Sequence, residues 1–318
     1  MDKVQQQTLK YFWDYAEPNS GMARDRRTSG QTVTTSGTGM GIMAMIAGVE
    51  RGFLQRGEVL ERVLRIANSL KTADRYHGAW SHWYDGSTGR TLPFSQKDNG
   101  ADLVETAFLV QGLIAAQEYF SNCTAFEDSL RALVDTLWFG VDWTWFVKGN
   151  DKLYWHWSPD YGFEMNHLIR GWDEALITYI LATASPTYPI SPEVYHKCWA
   201  RDGDIINGNT YYGVTLPLGP NFGGPLFFAH YSFLGLDPRG LNDTYANYWE
   251  QNRNHSLVNY NYCIANPYEF CGYSDSFAAN RILRDDTNAD SKFCRVANCG
   301  CYHPDSLGCA SCYCASED

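Results

Sequence analysis

Apolar residues at helical spacing recur along most of the chain, and this pattern constrains the fold more than any other feature. The clearest case is the segment Arg56–Ala73, where seven apolar side chains fall on one face: Val59, Leu60, Val63, Leu64, Ile66, Ala67 and Leu70. Similar patterns predict about nine helices of modest length, and strands are hardly indicated anywhere. Long aromatic loops separate the helices. The sequence therefore predicts an all-α fold, a toroid of helices with its loops gathered at one end.

The predicted helices have bounds that the structure can test. In the first half of the chain they cover residues 2–17, a segment from Thr35 or Ser36 through GMGIMAMIAGVERG, residues 56–73, and a segment from Asp98 or Asn99 to about Phe120. The later ones cover residues 126–147, Gly171 to Ser185, residues 191–199, a few residues from Gly223, and Asp243 to about Val258. The GTGMG sequence in the second of these resembles a phosphate-binding glycine motif. It lacks a preceding strand and a third glycine, so close helix packing is the better interpretation.

Residues 154–186 combine an aromatic loop with a helix that carries an acid. Tyr154, Trp155, His156, Trp157 and Tyr161 crowd around Ser158–Pro159, and the helix predicted from Gly171 places Glu174 in its first turn, beside Trp172. Aromatic rings stack on the apolar faces of pyranoses, and a carboxyl group can move a proton. This combination predicts sugar chemistry.

Glu174 also has a plainer interpretation as a capping residue. Glu in the third helical position commonly pairs with an N-cap Ser or Thr, but position 171 is Gly. As a general acid, Glu174 would need a pKa raised by its surroundings against the helix dipole.

Three acids form a second candidate site. On a helix starting near residue 98, Asp98, Asp102 and Glu105 fall on one stripe, and stacked like charges cost helix stability, which favours a functional face. The alternative is that Asp98 caps the helix, Asp102 favours its dipole and Glu105 pairs with an arginine from elsewhere.

Several loop residues are candidates for ligand contacts. Residues 74–97 form a long predicted loop with His77, Trp80, His82 and Trp83. Nothing near His77 and His82 in sequence completes a zinc ligand set, so no metal is expected. Arg24 can contact substrate hydroxyls or hold acidic residues. For His230, which Tyr231 follows, a satisfied core histidine is the commoner case.

Composition limits the class of partner. Hydrophobic residues make up 44% and charged residues 19%, and the formal net charge is -11. This charge argues against nucleic acid or an anionic membrane and suits a neutral ligand. No apolar run is long enough for a membrane span, and MDKVQQQTLKYFWDY lacks the apolar core of a signal peptide.

With these motifs in hand, the chain resembles the bacterial glycoamylase-like proteins, the group that includes endo-β-1,2-glucanases. The matching segments occur in the family's order over residues 5–267 and are YFWDYAEPNSGMARDR, GTGMGIMAMIAGVERG, YHGAWSHW, DNGADLVETAFLVQGL, YWHWSP, GWDEALITYILATASPTYPI and GGPLFFAHYSFLGLDPRGLNDTYANYWEQN. So many ordered segments make the resemblance specific.

The resemblance implies an (α/α)6 barrel with a sugar cleft and hydrolysis of a β-1,2-linked glucan with inversion. In that pattern Glu174 stands at the position of the family's proton donor. Asp98, Asp102 and Glu105 resemble the carboxylates of the family's cleft. The resemblance also implies that the sugar subsites are lined by Trp155, His156, Trp157, Trp172, His230 and Tyr231. It does not identify the general base. The expected partner is an oligo- or polysaccharide, with no cofactor, no nucleic acid and no membrane, and the chain is expected to be a monomer. The family also suggests a periplasmic or secreted location.

The chain departs from the family after residue 267. Family segments do not continue, and six cysteines fall within 21 residues: Cys294, Cys299, Cys301, Cys309, Cys312 and Cys314. Three interpretations apply to residues 268–318: a zinc site using Cys309 and Cys312 with Cys299, Cys301 or His303, a disulfide knot, or a tail that is not native to the fold. The last is favoured, and it predicts a catalytic domain over 1–267 with an incomplete barrel and impaired activity.

Two further functions remain open on the sequence alone. One is a carbohydrate-binding remnant with the aromatic cleft but no base. The other is phosphorolysis or transglycosylation on the same kind of toroid.

Overall fold

The computed structural model describes residues 1–265 of the 318-residue chain, and about half of these residues lie in helices. They form two compact units. The first contains residues 1–169 and 177–195, and the second contains residues 170–176 and, within the described part, 196–265. The predicted all-α class is confirmed at this coarse level, and the prediction of one domain over 1–267 stays a prediction.

The α-helices follow the predicted order. In chain sequence they are α1 Asp2–Trp13, α2 Thr35–Glu50, α3 Arg56–Thr72, α4 Leu103–Tyr119, α5 Ala125–Phe139, α6 Leu176–Ala184, α7 Pro192–Val194 and α8 Tyr248–Ala265. The apolar faces of α3, α4 and α5 supply much of the core of the first unit. On α3, for example, Val59, Val63 and Leu70 are fully buried, as the spacing predicts.

Helices α2 and α4 pack backbone against backbone. A Cβ on Gly39 would lie 2.2 Å from the carbonyl oxygen of Phe108, and a Cβ on Gly112 would lie 2.2 Å from the carbonyl oxygen of Gly39. Only glycine permits this approach on both sides. The interpretation of GTGMG as a helix-packing motif is therefore confirmed.

Short strands occur where the sequence predicted loops and, in one case, the first turn of a helix. β1 (Thr32–Thr34), β2 (Trp83–Asp85) and β3 (Arg90–Leu92) form an antiparallel sheet in that order, with Tyr84 opposite both Val33 and Thr91. β4 (Ala101–Asp102) pairs with β5 (His156–Trp157). Strands of two or three residues are too short for periodicity to show them.

The starts of α4 and α6 were predicted too early, and both errors concern candidate site residues. α4 begins at Leu103, so Asp98 lies outside the helix and the three acids do not line one helical stripe. α6 begins at Leu176, so Glu174 lies two residues before the helix and occupies neither its first turn nor a capping-box position. The predicted N-cap of α2 was also wrong, because Thr34 takes that position.

Three other elements differ from their predicted form. The helix expected over 126–147 ends at Phe139 and is followed by a 3₁₀ turn, Trp143–Val147. The one expected over 191–199 is α7 followed by a π-helical turn, Tyr195–Trp199. The segment expected to be helical from Gly223 contains the 3₁₀ turn Leu226–Ala229.

The second unit is built around α8, which begins five residues later than predicted. Gln251 of α8 accepts a hydrogen bond from the Leu218 N–H through Oε1, and the buried His255 ring contacts the Gly224 carbonyl at 2.9 Å through Nε2. A hairpin of β6 (Thr210–Tyr211) and β7 (Val214–Thr215) completes the regular structure.

None of the helices within residues 1–265 is both long and apolar enough to cross a bilayer. The proposals for the Cys-rich segment 268–318 (zinc ligands, disulfides, a non-native tail and an incomplete barrel) lie outside the described residues.

Candidate functional site

Asp102 is the centre of a buried polar cluster in the first unit. It is the N-cap of α4, where its Oδ1 accepts hydrogen bonds from the Val104 and Glu105 N–H groups at 3.0 and 2.9 Å. It also ends β4, where it lies directly opposite His156 of β5. Residues opposite each other in a ladder point to the same face, so Asp102 and His156 meet side by side.

Two imidazoles reach the second oxygen of Asp102. His82 Nδ1 lies 3.4 Å from Asp102 Oδ2, and His156 Nε2 lies 3.5 Å from the same oxygen. His82 precedes β2, which holds it against this cluster. Its other nitrogen, Nε2, is 3.9 Å from Glu105 Oε1.

The other two predicted acids join the cluster by different routes. Asp98 precedes β4 and places Oδ2 at 3.5 Å from His156 Nε2, while its Oδ1 has no hydrogen-bond partner within residues 1–265. Glu105, in the first turn of α4, accepts a hydrogen bond from the Ser36 N–H at 2.8 Å through Oε2. The alternative in which Asp98 caps the helix was therefore wrong, because Asp102 is the cap. Within residues 1–265, Glu105 accepts from a backbone N–H of α2 and forms no ion pair with an arginine.

Burial and mutual charge set the proton affinities in the cluster. Burial raises the pKa of Asp98 to about 6, with the neighbouring Asp102 charge adding to it. Burial alone would raise the pKa of Asp102, but contacts with His156 and His82 hold it well below its ordinary value. Burial would lower the pKa of His82, but Glu105, Asp102 and Asp98 raise it to about 9. The cluster thus combines Asp102, whose pKa is lowered, with Asp98, His82 and His156, whose pKa values are raised.

Aromatic rings flank these imidazoles. Phe94 and Trp83 lie against His82, with ring centroids at 4.3 and 5.6 Å. Trp155 lies beside both His156 and His167, with ring centroids at 5.8 and 4.9 Å, and the two imidazoles are 5.6 Å apart. Of these rings, Trp83 and Trp155 were predicted as substrate contacts, whereas Phe94 and His167 were not.

Four other predicted contacts of the first unit, Trp80, Arg24, His77 and Trp157, make their contacts elsewhere. Trp80 is fully buried, donates from Nε1 to the Leu70 carbonyl and is covered by Arg75. The Arg24 guanidinium donates to the Gly30 and Tyr15 carbonyls. His77 stacks on Trp145 at 3.6 Å and meets the edge of Trp157 at 4.6 Å. Trp157 lies opposite Ala101 in the ladder, so it points to the other face from Asp102.

The second unit carries Glu174 in the turn before α6. The backbone carbonyl of Glu174 accepts a hydrogen bond from Ser232 Oγ, which fixes the turn. Its neighbour Asp173 accepts from the Ala175 N–H at 2.8 Å, and burial raises the pKa of Asp173 to about 7. Trp172 is buried and stacks on Tyr248 at 6.2 Å.

His230 and Tyr231 follow the 3₁₀ turn of the same unit. His230 is exposed and lies 3.3 Å from Ser256 Oγ through Nε2, so it is not the core histidine that the plainer interpretation expected. Tyr231 lies beside Phe227, with ring centroids 5.3 Å apart.

Ser36 and His167 belong to the surroundings of the cluster but were not predicted from the sequence, because contacts with other segments of the chain bring them there. Ser36 comes from α2, and His167 is held where its carbonyl accepts the Trp155 N–H at 2.9 Å. Asp173, the residue before Glu174, accepts a hydrogen bond from the Ala175 N–H, two residues later. An Asp that forms such a turn can be recognised in a sequence, but Asp173 was not predicted as a site residue.

Comparison with known proteins finds a matching family model and a similar curated protein. The Glycoamylase family model matches residues 166–277. The exo β-1,2-glucooligosaccharide sophorohydrolase (non-reducing end) of Parabacteroides distasonis is 46% identical, over 86% of this chain and 41% of the relative. The chain thus spans less than half the length of that curated relative.

Solved structures match as well. The endo-β-1,2-glucanase of Chitinophaga pinensis, in complex with sophorotriose and glucose, superposes with a TM-score of 0.82 at 50% identity, over 86% of this chain and 68% of that one. The β-1,2-glucanase of Parabacteroides distasonis gives a TM-score of 0.82 at 45% identity, over 86% of this chain and 42% of that one.

Proposed function

The chain belongs to the glycoamylase-like family, and on that premise we propose that it is a glycoside hydrolase that cleaves β-1,2-linked glucan. One observation carries this proposal: 50% identity to an endo-β-1,2-glucanase whose structure holds sophorotriose and glucose. The proposed fold of the chain is an (α/α)6 barrel. The expected substrate is a neutral oligo- or polysaccharide, and the protein acts as a monomer.

We infer that Glu174 is the proton donor to the leaving glycosidic oxygen. The turn that carries it is fixed at its backbone by Ser232 and at its neighbour by the Asp173–Ala175 hydrogen bond. A held backbone restricts where the carboxyl group can reach, which proton transfer requires. Inversion also requires a base that activates water from the opposite face of the sugar.

The cluster around Asp102 supplies the carboxylates that bind and orient the sugar. Sugar hydroxyls donate to carboxylates and accept from imidazolium groups, and both kinds of group are present with the raised pKa of His82. Asp102 has its Oδ1 committed to the helix cap, so its part is to hold His82 and His156 in place. In the part of the chain that the structure describes, one oxygen of Asp98 has no hydrogen-bond donor, so Asp98 is the better candidate for direct contact with substrate.

Each unit supplies its own candidate aromatic contacts to sugar. Trp83 and Trp155 flank the cluster in the first unit, and Trp172, His230 and Tyr231 are the candidates in the second unit. An aromatic ring stacked on a sugar excludes water from the apolar face of the pyranose.

The decisive experiment measures reducing ends released from β-1,2-glucan by the wild-type chain and by Glu174→Gln. Gln keeps the size of the side chain and removes the proton, so activity should fall by about 10²–10⁴-fold. The matched control is Glu164→Gln, since Glu164 is an exposed glutamate of the first unit paired with Lys97, and it should retain full activity. Equal turnover by Glu174→Gln and wild type would overturn the assignment of the donor. Binding of β-1,2-glucan by the wild type without any turnover would instead favour the carbohydrate-binding alternative.

A further inference from the structure

We propose that Asp173 and Ser232 are positioning residues that hold the peptide group between Glu174 and Ala175, and with it the proposed proton donor. This role rests on the proposed function, in which Glu174 is the donor. It adds two residues that act through Glu174 and not on the sugar. All four residues belong to the second unit.

Glu174 lies in a stretch of backbone outside the regular elements. Residues 171–175 form bends and turns, and α6 begins only at Leu176. In a helix or a strand, a ladder of backbone hydrogen bonds places every peptide group, whereas a turn depends on individual contacts. The position of the Glu174 side chain is therefore set by the few groups that bind the peptide groups next to it.

Two side chains hold opposite ends of one peptide group. The Ala175 N–H donates to Asp173 Oδ1 at 2.8 Å, and the Glu174 carbonyl accepts from Ser232 Oγ. This N–H and this carbonyl belong to the same planar unit, so the two hydrogen bonds, together called the clamp, restrict its rotation. The Cα atom of Glu174 lies in the same plane. The clamp therefore also restricts where the side chain of Glu174 starts.

Ser232 connects the proposed donor to a segment with two proposed sugar contacts. It is fully buried, begins the 3₁₀ turn Ser232–Leu234 and directly follows His230 and Tyr231. Its hydroxyl ties this segment to the turn of Glu174, 58 residues earlier in the chain. With a sugar bound to His230 and Tyr231, this buried hydrogen bond helps to set the distance between the sugar and the donor. Catalysis depends steeply on such distances.

The task of Asp173 in the clamp requires only an acceptor. Its Oδ1 accepts from the Ala175 N–H, and an amide oxygen accepts a hydrogen bond as a carboxyl oxygen does. Asp173→Asn should therefore keep the clamp, whereas Asp173→Ala should release it. A direct role of Asp173 in moving protons would require the carboxyl group itself. The comparison of these two variants separates positioning from proton transfer.

The test measures kcat and KM on β-1,2-glucan at about pH 5.5. Burial raises the pKa of Asp173 to about 7, so at this pH Asp173 and an Asn in its place are both mainly uncharged. Asp173→Ala and Ser232→Ala should each lower kcat by about 10–100-fold, because the donor is displaced from the leaving oxygen. KM should stay within about threefold, since the donor acts in the transition state. Asp173→Asn should keep kcat within about threefold of the wild type.

Two control substitutions remove comparable hydrogen bonds elsewhere in the chain and should leave kcat unchanged. In Asn150→Ala, an exposed turn loses the hydrogen bond from the Lys152 N–H to Asn150 Oδ1, which is 3.0 Å long. In Ser129→Ala, the exposed face of α5 loses the hydrogen bond from Ser129 Oγ to the Ala125 carbonyl, which is 2.7 Å long. Near-ultraviolet circular dichroism establishes that each variant is folded.

Glu174→Gln separates failure of the positioning role from failure of the proposed function. If it is inactive while folded Asp173→Ala and Ser232→Ala keep the kcat of the wild type, the positioning role is overturned and the proposed donor stands. The role is also overturned if Asp173→Asn loses as much activity as Asp173→Ala, or if KM alone rises. If Glu174→Gln turns over as fast as the wild type, the donor assignment is wrong and the positioning role fails with it. Should Ser232→Ala not fold, Asp173→Ala and Asp173→Asn decide the test.

Discussion

Individual carboxyl groups in this chain differ in pKa because their oxygens have different contacts. Asp102 divides its two oxygens between a helix cap and two imidazoles, and the contacts with His156 and His82 keep its pKa low. Asp173 has one backbone N–H as its hydrogen-bond donor, and burial raises its pKa to about 7. Asp102 can therefore serve as a fixed negative charge, whereas Asp173 changes charge near neutral pH.

Asp173 should make the stability of the fold depend on pH. Its carboxyl group ionises at about pH 4 in the unfolded chain and at about 7 in the folded one, so the unfolded state loses this proton first as pH rises. The free energy of unfolding should therefore fall between about pH 4 and pH 7 on account of this group. Asp173→Asn keeps the acceptor for the Ala175 N–H and removes the ionisation.

The two proteins should accordingly be compared by urea unfolding at both ends of this range. Asp173→Asn should gain about 1–3 kcal/mol over the wild type on going from pH 4 to pH 7, after allowance for the partial exposure of the side chain. Other titrating groups cancel in the difference between variant and wild type. A gain of the same size at both pH values would contradict the raised pKa.

At the scale of elements, the sequence predicted what local periodicity determines. Helix α3 was expected to begin at Arg56 and does so, because its apolar face is continuous and Val63 and Leu70 of that face are buried. The start of α4 was missed because Ala101 and Asp102 pair with β5, more than 50 residues away in the chain. The same pairing brings His156 to Asp102, which no local pattern could indicate. The candidate acids could thus be selected from the sequence, while their histidine partners and their real arrangement could not be derived.

The contact of α2 with α4 provides a prediction at this scale. Gly39→Ala would place a Cβ at 2.2 Å from the Phe108 carbonyl oxygen, which is backbone and cannot swing away. The helices would have to separate, so the free energy of unfolding should drop by at least about 3 kcal/mol or the chain should fail to fold. Chemical denaturation of the purified variant measures this effect.

Gly57→Ala is the matched control for this substitution. Gly57 also lies in a helix, α3, but a Cβ there meets nothing within 4 Å. The change should be neutral or stabilising by up to about 1 kcal/mol, since alanine favours helix over glycine. If both alanine variants behaved alike, the close approach of α2 and α4 would be contradicted.

At the scale of the whole molecule, charge distinguishes among possible polysaccharides. The chain carries a formal net charge of -11, and it contains 36 acidic against 25 Lys and Arg residues. Such a field repels anionic polymers and leaves neutral ones unaffected. A neutral β-1,2-glucan satisfies this condition, and so would any other uncharged glucan, so the charge restricts the substrate to a class without identifying the linkage.

Salt therefore provides the last prediction. The range of electrostatic interactions shrinks from about 30 Å at 0.01 M ionic strength to about 3 Å at 1 M. For a neutral β-1,2-glucan, kcat/KM should change by less than about twofold across this range, because no net attraction or repulsion is being screened. The same measurement on a glucan carrying anionic substituents should show kcat/KM rising with salt as repulsion weakens. A steep fall with salt for the neutral glucan would mean that charge attraction brings the substrate to the protein, which a chain of this acidity binding an uncharged sugar should not show.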